Sequence, residues 1–547
     1  MTNSTNPPDF IPFQSIGICF SGGGYRASAF ALGVLSYLDR VKFNDKPLLQ
    51  KVDALSTVSG GTLTGMAYAV AQVNRVAFDQ FYKDFYQFLQ ADKLTETAIG
   101  FLNDDARWKT SHKKRSLINA FGLAYEKLLV QGTFEQFDKD SPSHLKQVCF
   151  NATDFSFGLA FRFQNTGLFG NKPLNCAELN VIKDQVHVAD AVASSSCFPF
   201  GFEPMIFPDD YFVNHNTPDY KALKRRDQFL EGVGIMDGGI VDNQGIGSMI
   251  NMGESATRKR KPDLIIVNDV GSYRMQPWLP GSGVAGKKKS VKETVLDLLK
   301  FLNFRWYYWV LLLAGVLTLM LNSMLVFGQP WPALYILGGM LTGVGLILTV
   351  VGLITSIAKR FGLAWFNAVF EKKVPPVLLD EVASFAHLDI ALVRRMISER
   401  VTSTFKMVND IFLKQIRRLN YDLLYSKAEL KNRVITSTVY QLNGKPSPYK
   451  NQTLNADIPP PSARLQTAAL VASETPTTLW WDEKDLLLQR QDNLIACGQF
   501  TTCYNLMDYI LKLKVGGITS AEMDSLYKQL ETDWERFNEN PLFLVTG

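Results

Sequence analysis

Histidine and cysteine are scarce in this chain, at five and six residues out of 547. The cysteines (Cys19, Cys149, Cys176, Cys197, Cys497 and Cys503) are scattered without a Cys-x-x-Cys pair, and the histidines are equally dispersed. No zinc site or disulfide framework is readable in that pattern, and it fits a reducing compartment. The opening residues Met1 to Pro8 have neither the basic start nor the apolar core of a signal peptide, so none is expected. No Gly-Lys-Ser or Gly-Lys-Thr stands at Walker spacing after a glycine loop, which excludes P-loop chemistry. A strong imbalance of charge is also missing: 57 basic residues against 52 acidic ones leave +5. The basic clusters are short and gather near one apolar stretch, which argues against nucleic acid as a partner. There is no internal repeat and no long low-complexity tract.

One absence is local and large. From Trp306 to Ala358, 53 consecutive residues include no Asp, Glu, Lys, Arg or His. About 20 apolar residues cross a bilayer as a helix, so the run can hold two spans. They are read as Trp306 to Phe327 and Ala333 to Ile357, broken at Gly328-Gln329-Pro330-Trp331-Pro332. Aromatic residues Trp306 to Trp309 mark one interface and Trp331 the other. Lys287, Lys288, Lys289, Lys292, Lys300 and Arg305 precede the first span, and Lys359, Arg360, Lys372 and Lys373 follow the second. The positive-inside rule then places both ends in the cytoplasm, which predicts a multi-pass membrane protein whose flanking domain is cytoplasmic. The competing reading is a buried helical pair in a large soluble core, although such cores seldom sustain so long a run without a charge.

Over the whole chain, 46% apolar content supplies ample core. Ile16 to Phe20 reads as a buried strand leading through Ser21-Gly22-Gly23-Gly24-Tyr25-Arg26-Ala27 into a helix around Phe30 to Leu38. A second strand, Ala54 to Val58, ends at Ser59. Strand, glycine loop, helix and strand open a parallel α/β sheet, in which loops at the carboxyl ends of strands build the site. Val148 to Ala152 and Leu159 to Phe163 are predicted strands around a short turn, and Val188 to Cys197 a small-residue helix ended by Phe198-Pro199. Leu264 to Asp269 is a further buried strand. Beyond the charge-free run, Phe405 to Leu424 has helical periodicity and Val434 to Leu442 alternates like a strand.

Serine hydrolysis needs a nucleophile, a base and donors aimed at an oxyanion. Ser59, between the predicted strand and Gly60-Gly61, has the setting of a nucleophile elbow, a turn that lifts the hydroxyl above the sheet. Thr57 stands where Gly-x-Ser-x-Gly has its first glycine, so the motif is half met, and by itself Ser-Gly-Gly also suits a plain loop. Gly22, Gly23 and Gly24 offer backbone N–H groups for an oxyanion hole. The same loop also fits the Gly-x-Gly-x-x-Ala dinucleotide fingerprint, with Asp39 or Asp53 as ribose acids, though neither ends a clear second strand. Asp237, in Met236-Asp237-Gly238-Gly239, is the candidate base, with Asp242 as a weaker rival. Asp-Gly is also a common turn. Arg26 either orients the glycine loop, pairs with a phosphate, or is a solvated helix-start residue. No histidine is placed as a third member: His387 lies after the hairpin, His187 precedes a helix, and His112, His144 and His215 sit in polar loops.

In this order, Ser21 to Arg26, Val58-Ser59-Gly60-Gly61 and Asp237-Gly238-Gly239 resemble the oxyanion segment, serine elbow and Asp-Gly-Gly of the patatin-like phospholipase family. The likeness extends to Asn151 to Asp154 and Ala193 to Pro199, and covers roughly Ile16 to Gly271. Two departures are Thr57 and Ala27, at positions where that family usually or often has glycine. The resemblance implies a three-layer α/β domain with a central, mostly parallel sheet, interrupted here by the transmembrane hairpin. The expected division is residues 11–275 and 375–512 for the catalytic domain, 300–360 for the hairpin and 513–547 for a C-terminal helical tail. It further implies a Ser59–Asp237 dyad acting on acyl esters of membrane phospholipid, without metal or cofactor. A membrane-anchored protein of the same fold that binds lipid or a partner without turnover is the alternative, supported by Thr57; an acyltransferase is a variant of the enzyme.

Overall fold

The computed structural model describes residues 11–138, 140–254, 262–271, 278–279, 306–324, 326, 328–350, 388–430, 432–446 and 454–545. The chain divides into two compact units, one of Met1–Met275 with Asn409–Gly547 and one of Gln276–Val408.

The first unit is built on a sheet whose strands are β1 (Ile16–Phe20), β4 (Val52–Val58), β5 (Gln147–Asp154), β6 (Leu159–Gln164), β7 (Met205–Phe207), β8 (Val233–Asp237), β9 (Leu264–Asp269) and β10 (Val434–Thr438). A separate two-stranded ribbon pairs β2 (Lys42–Phe43) with β3 (Lys46–Pro47). Along the sheet the order is β10-β9-β1-β4-β5-β8-β7, with β6 also on β5. The run from β10 to β5 is parallel, whereas β6, β7 and β8 pair antiparallel. β1, β5 and β9 are buried along their whole length, as parallel strands covered on both faces must be.

Alternation along these strands divides the core in two. Ile16, Ile18, Phe20, Leu55, Leu264 and Ile266 face a large cluster that includes residues of α1 (Gly24–Arg40), α2 (Gly60–Val73) and the long helix Arg490–Val515. Cys19, Ala54, Ile265 and Val267 face a smaller cluster with Ile246, Met249, Ile250 and Leu424. Helices on both faces of a central sheet make the three layers expected from the sequence. The strand predicted after the apolar stretch is β10, which extends the sheet beside β9 with Thr438 opposite Asp269. Helix Ala521–Glu539 is part of this unit, with Trp534 and Phe537 in the larger cluster and Asp533 paired with Arg40 at 2.7 Å.

In the second unit, helix Tyr307–Ser323 covers 17 residues and Pro332–Val350 covers 19. Among the described residues only Pro332–Val350 is long and apolar enough to cross a membrane, which is one helix where two spans are expected. Phe327, residues 351–357 and the basic residues that flank the apolar run lie outside the described residues. The two helices meet closely: a Cβ on Gly315 would lie 2.4 Å from the Thr342 nitrogen. The buried Asn322 side chain accepts from the Trp331 N–H and donates to its carbonyl, both at 3.0 Å, which satisfies backbone groups at the turn.

Candidate active site

The register around β5 brings the two distant motifs together. On one edge of β5, β4 pairs in parallel up to the rung Val58 opposite Asn151. On the next rung Ala152 pairs with Asp237, the last residue of antiparallel β8. Two strands running in opposite directions thus end head to head on one edge, and the residues at their carboxyl ends meet. Val58 is followed by Ser59, and Gly238 sits so close that a Cβ on it would lie 3.1 Å from Val58 Cγ1.

Ser59 has φ 50° and ψ −123°, a backbone conformation that costs a non-glycine residue energy and marks the tip of a strained turn. β4 stops before it and α2 starts after it, the strand-to-helix arrangement read from the sequence. Gly60 follows because backbone crosses directly over it: a Cβ there would lie 2.0 Å from the Gly24 carbonyl oxygen. Ser59 itself is 8% exposed and Asp237 5%.

Asp237 is held on every side. Its N–H donates to the Cys197 carbonyl at 2.9 Å, its carbonyl accepts from Thr153 at 2.8 Å, and Oδ1 accepts the Gly239 N–H at 2.7 Å. Burial pushes its carboxyl up from 3.8 to about 6, while hydrogen bonds from the Ser59 hydroxyl and Gly239 pull it back. A carboxylate with a pKa near 6 beside a serine hydroxyl has the protonation behaviour of a general base at neutral pH.

Not all of the expected oxyanion donors are available. The Gly22 N–H donates to the Asn243 carbonyl at 2.9 Å, so it is removed from the set. The reason is tertiary: Asn243, in the turn after helix Gly239–Asp242, fills the space beside Gly22, where its Oδ1 would lie 2.4 Å from an added Cβ. The N–H groups of Gly23 and Gly24 have no hydrogen-bond partner among the described residues, nor do those of Gly60 and Gly61 at the start of α2. The positive end of a helix of 14 residues therefore adds to the glycine loop.

Arg26 is buried, not solvated. Its Nη1 donates to the Thr475 carbonyl at 2.8 Å and its Nη2 to the Val270 carbonyl, so the guanidinium ties the glycine loop to two neighbouring segments. The dinucleotide reading meets an obstacle at the same place. The Tyr25 N–H donates to the Thr478 carbonyl at 2.8 Å, and that carbonyl would lie 2.2 Å from a Cβ on Gly24. Backbone of the 477–478 segment occupies the approach that a pyrophosphate would need. Asp53 accepts from Ser15 Oγ, near the opposite end of β4 from Ser59. Asp242 accepts N–H bonds from Gln244 and Gly247 and an amide bond from Asn420, so it is committed to the turn. His144 bridges the Val52 carbonyl and Tyr68, and His187 contacts Glu126. His112 and His215 pack against each other, and His387 lies outside the described residues.

Two features of the site were not legible in the sequence. The Ser59 N–H donates to Ser195 Oγ at 2.9 Å, and Ser195 donates to the Asn151 carbonyl at 2.6 Å. Thr62 lies 2.8 Å from Ser195 and Thr57 lies 2.9 Å from Thr62. Since Ser195 already spends its only proton on Asn151, Thr62 must donate to Ser195 and Thr57 to Thr62. Thr57 thereby becomes the start of a buried hydroxyl chain that supports the elbow. Space for its methyl group comes from Gly65, where a Cβ would lie 2.5 Å from Thr57 Cγ2. Gly65→Ala alone is therefore expected to destabilise the fold by about 1–3 kcal/mol through overpacking. In a Thr57→Gly background the same change should cost at least about 1 kcal/mol less, as read from a double-mutant cycle in urea.

No match was found among curated proteins. The model of the family described as patatin-like phospholipase matches residues 18–250, a segment that holds the glycine loop, Ser59 and Asp237. Residues 18–250 accordingly match a patatin-like phospholipase domain, and that family is one of serine hydrolases.

Proposed function

We propose that the protein is a membrane-anchored lipid acyl hydrolase of phospholipase A type, working through a Ser59–Asp237 dyad. The observation that carries this reading is the strained Ser59 turn set against a buried, hydrogen-bonded Asp237 carboxyl. Asp237 takes the proton as Ser59 Oγ attacks the ester carbonyl, and an oxyanion forms beside the N–H groups of Gly23, Gly24 and Gly60. Each such donor is worth about 2.7–4 kcal/mol of transition-state stabilisation in a comparable site. Collapse expels the lysolipid alcohol, which takes the proton back from Asp237, and leaves an acyl-enzyme. Water deprotonated by the same carboxylate then releases the fatty acid. Burial of both groups strengthens these interactions by keeping bulk water away.

The apolar stretch gives the chemistry its place. The helix Pro332–Val350 has a mean hydropathy of 2.0 over its most apolar window, of which only 17% is buried within the protein. With Tyr307–Ser323 it forms a hairpin anchor that holds the catalytic domain at the cytoplasmic face, where phospholipid is concentrated. The test is a fluorophosphonate probe on the full chain, followed by fatty acid release from phosphatidylcholine vesicles. Stoichiometric labelling with release supports the hydrolase. An unlabelled, inactive wild type would leave the non-catalytic lipid-binding protein of the same fold.

A further inference from the structure

The segment that carries the patatin-like likeness ends at residue 250, yet the site leans on a residue much further along. Helix Leu413–Ser426 begins four residues after the chain re-enters the first unit at Asn409. From it, Arg417 Nε donates to Asp269 Oδ2 at 2.7 Å and the Tyr421 hydroxyl donates to the same oxygen at 2.8 Å. Asp269 is the last residue of β9 and is fully buried. Its other oxygen accepts the Gly271 N–H at 2.8 Å, just before the chain leaves the first unit at Met275. The guanidinium lies against that departing strand end: a Cβ on Gly271 would be 3.4 Å from Arg417 Cζ. One carboxylate thus fastens both stems of the inserted apolar unit.

The same place supports the glycine loop. Ser21 donates its N–H to the Asn268 carbonyl at 3.0 Å and accepts the Val270 N–H on Oγ at 3.0 Å, and Arg26 holds the Val270 carbonyl. Gln244 donates to Asp269 Oδ2 at 3.2 Å, and its neighbour Asn243 accepts the Gly22 N–H. Asn420, on the same helix as Arg417, reaches Asp242 at 3.1 Å. Residues before and after Asp269 therefore hold the loop from one side, and its side chain holds the turn after Asp237 from the other.

We propose that Arg417 is a positioning residue for the hydrolytic site: by clasping Asp269 it joins the two stems of the inserted unit and fixes the glycine loop against Ser59. Arg417 touches no substrate; it acts through Asp269 on the donors of Gly23 and Gly24. This rests on the hydrolase reading. A displacement of those donors by a fraction of an ångström weakens them in the transition state while leaving ground-state binding nearly intact.

The test uses the full-length chain in detergent micelles, with active sites counted by fluorophosphonate so that rates refer to reactive serines. Arg417→Gln is expected to lower kcat on a short-chain ester by about 10- to 100-fold with little change in KM. Affinity for a trifluoromethyl ketone, whose adduct places an oxyanion at the same donors, should fall in parallel. Arg417→Lys, which keeps the charge, should recover part of both. Hydrogen exchange in the peptide spanning residues 20–27 should quicken, with helix Ala521–Glu539 unaffected. Should Arg417→Gln fail to fold, Tyr421→Phe removes one hydroxyl from the same carboxylate and is expected to act in the same direction, more weakly. Unchanged kcat per reactive serine, together with unchanged exchange in residues 20–27, overturns the proposal. If the wild type takes up no fluorophosphonate, the hydrolase reading fails, and the exchange measurement still decides whether the clasp holds the loop.

Discussion

Ser59→Ala is expected to abolish fluorophosphonate labelling and to lower fatty acid release by at least about 10⁴-fold, the scale on which loss of a serine nucleophile acts elsewhere. The folded state should survive the change. The Ser59 hydroxyl takes no part in holding the elbow, because the backbone N–H makes the supporting bond to Ser195 and an alanine keeps it. Alanine at φ 50° carries nearly the same backbone strain as serine, so a thermal midpoint within a few degrees of wild type is the expected control. Labelling that persists in this variant would move the nucleophile to another residue. Ser195 is a poor candidate for that role, since its hydroxyl is bonded to Ser59, Thr62 and Asn151 and is fully buried.

Asp237→Asn should cost about 10²–10⁴-fold in turnover, the usual contribution of a general base. In the wild type, kcat/KM should rise with pH through about 6 and then level, and this limb should be absent from the variant. Stability should move the other way. Burial raises the carboxyl from 3.8 to about 6, so the folded chain binds this proton more tightly than the unfolded chain does. Between those values the unfolded chain has released a proton that the folded chain still holds, and stability falls as pH rises through the window. At neutral pH the charged carboxylate costs on the order of 3 kcal/mol. Asparagine keeps an acceptor for the Gly239 N–H and drops the charge, so the variant should melt higher than wild type at pH 7, with the gap closing by pH 4. A lower melting temperature at pH 7 would contradict the assignment of a destabilising, catalytically poised carboxylate.

Much of the catalytic unit could be read from residue order because its signals are local. A buried apolar run such as Ile16 to Phe20 reads as a strand, and Ser59 before two glycines reads as a turn. Other features depend on contacts between distant segments. Gly22 appeared equal to Gly23 and Gly24 until Asn243, more than 200 residues later, took its N–H. Arg26 allowed three readings, and two carbonyls from Val270 and Thr475 left the one in which it orients the loop. Ser195 belongs to a small-residue run with no feature that sets it apart; its role arises from meeting Ser59 across the fold.

The α/β class of the fold and the long charge-free stretch are legible along the chain, as are the candidate serine and aspartate, because periodicity, glycine placement and hydropathy act over a few neighbouring residues. The three-dimensional fold brings Ser59 and Asp237 together, since β4 and β8 end on adjacent rungs of β5. It also decided that Thr57 supports the elbow, because the space for its methyl lies at Gly65 and its hydroxyl partner at Thr62. Hydrogen-bond geometry and close packing are properties of neighbours in space, and chain order does not record who those neighbours are.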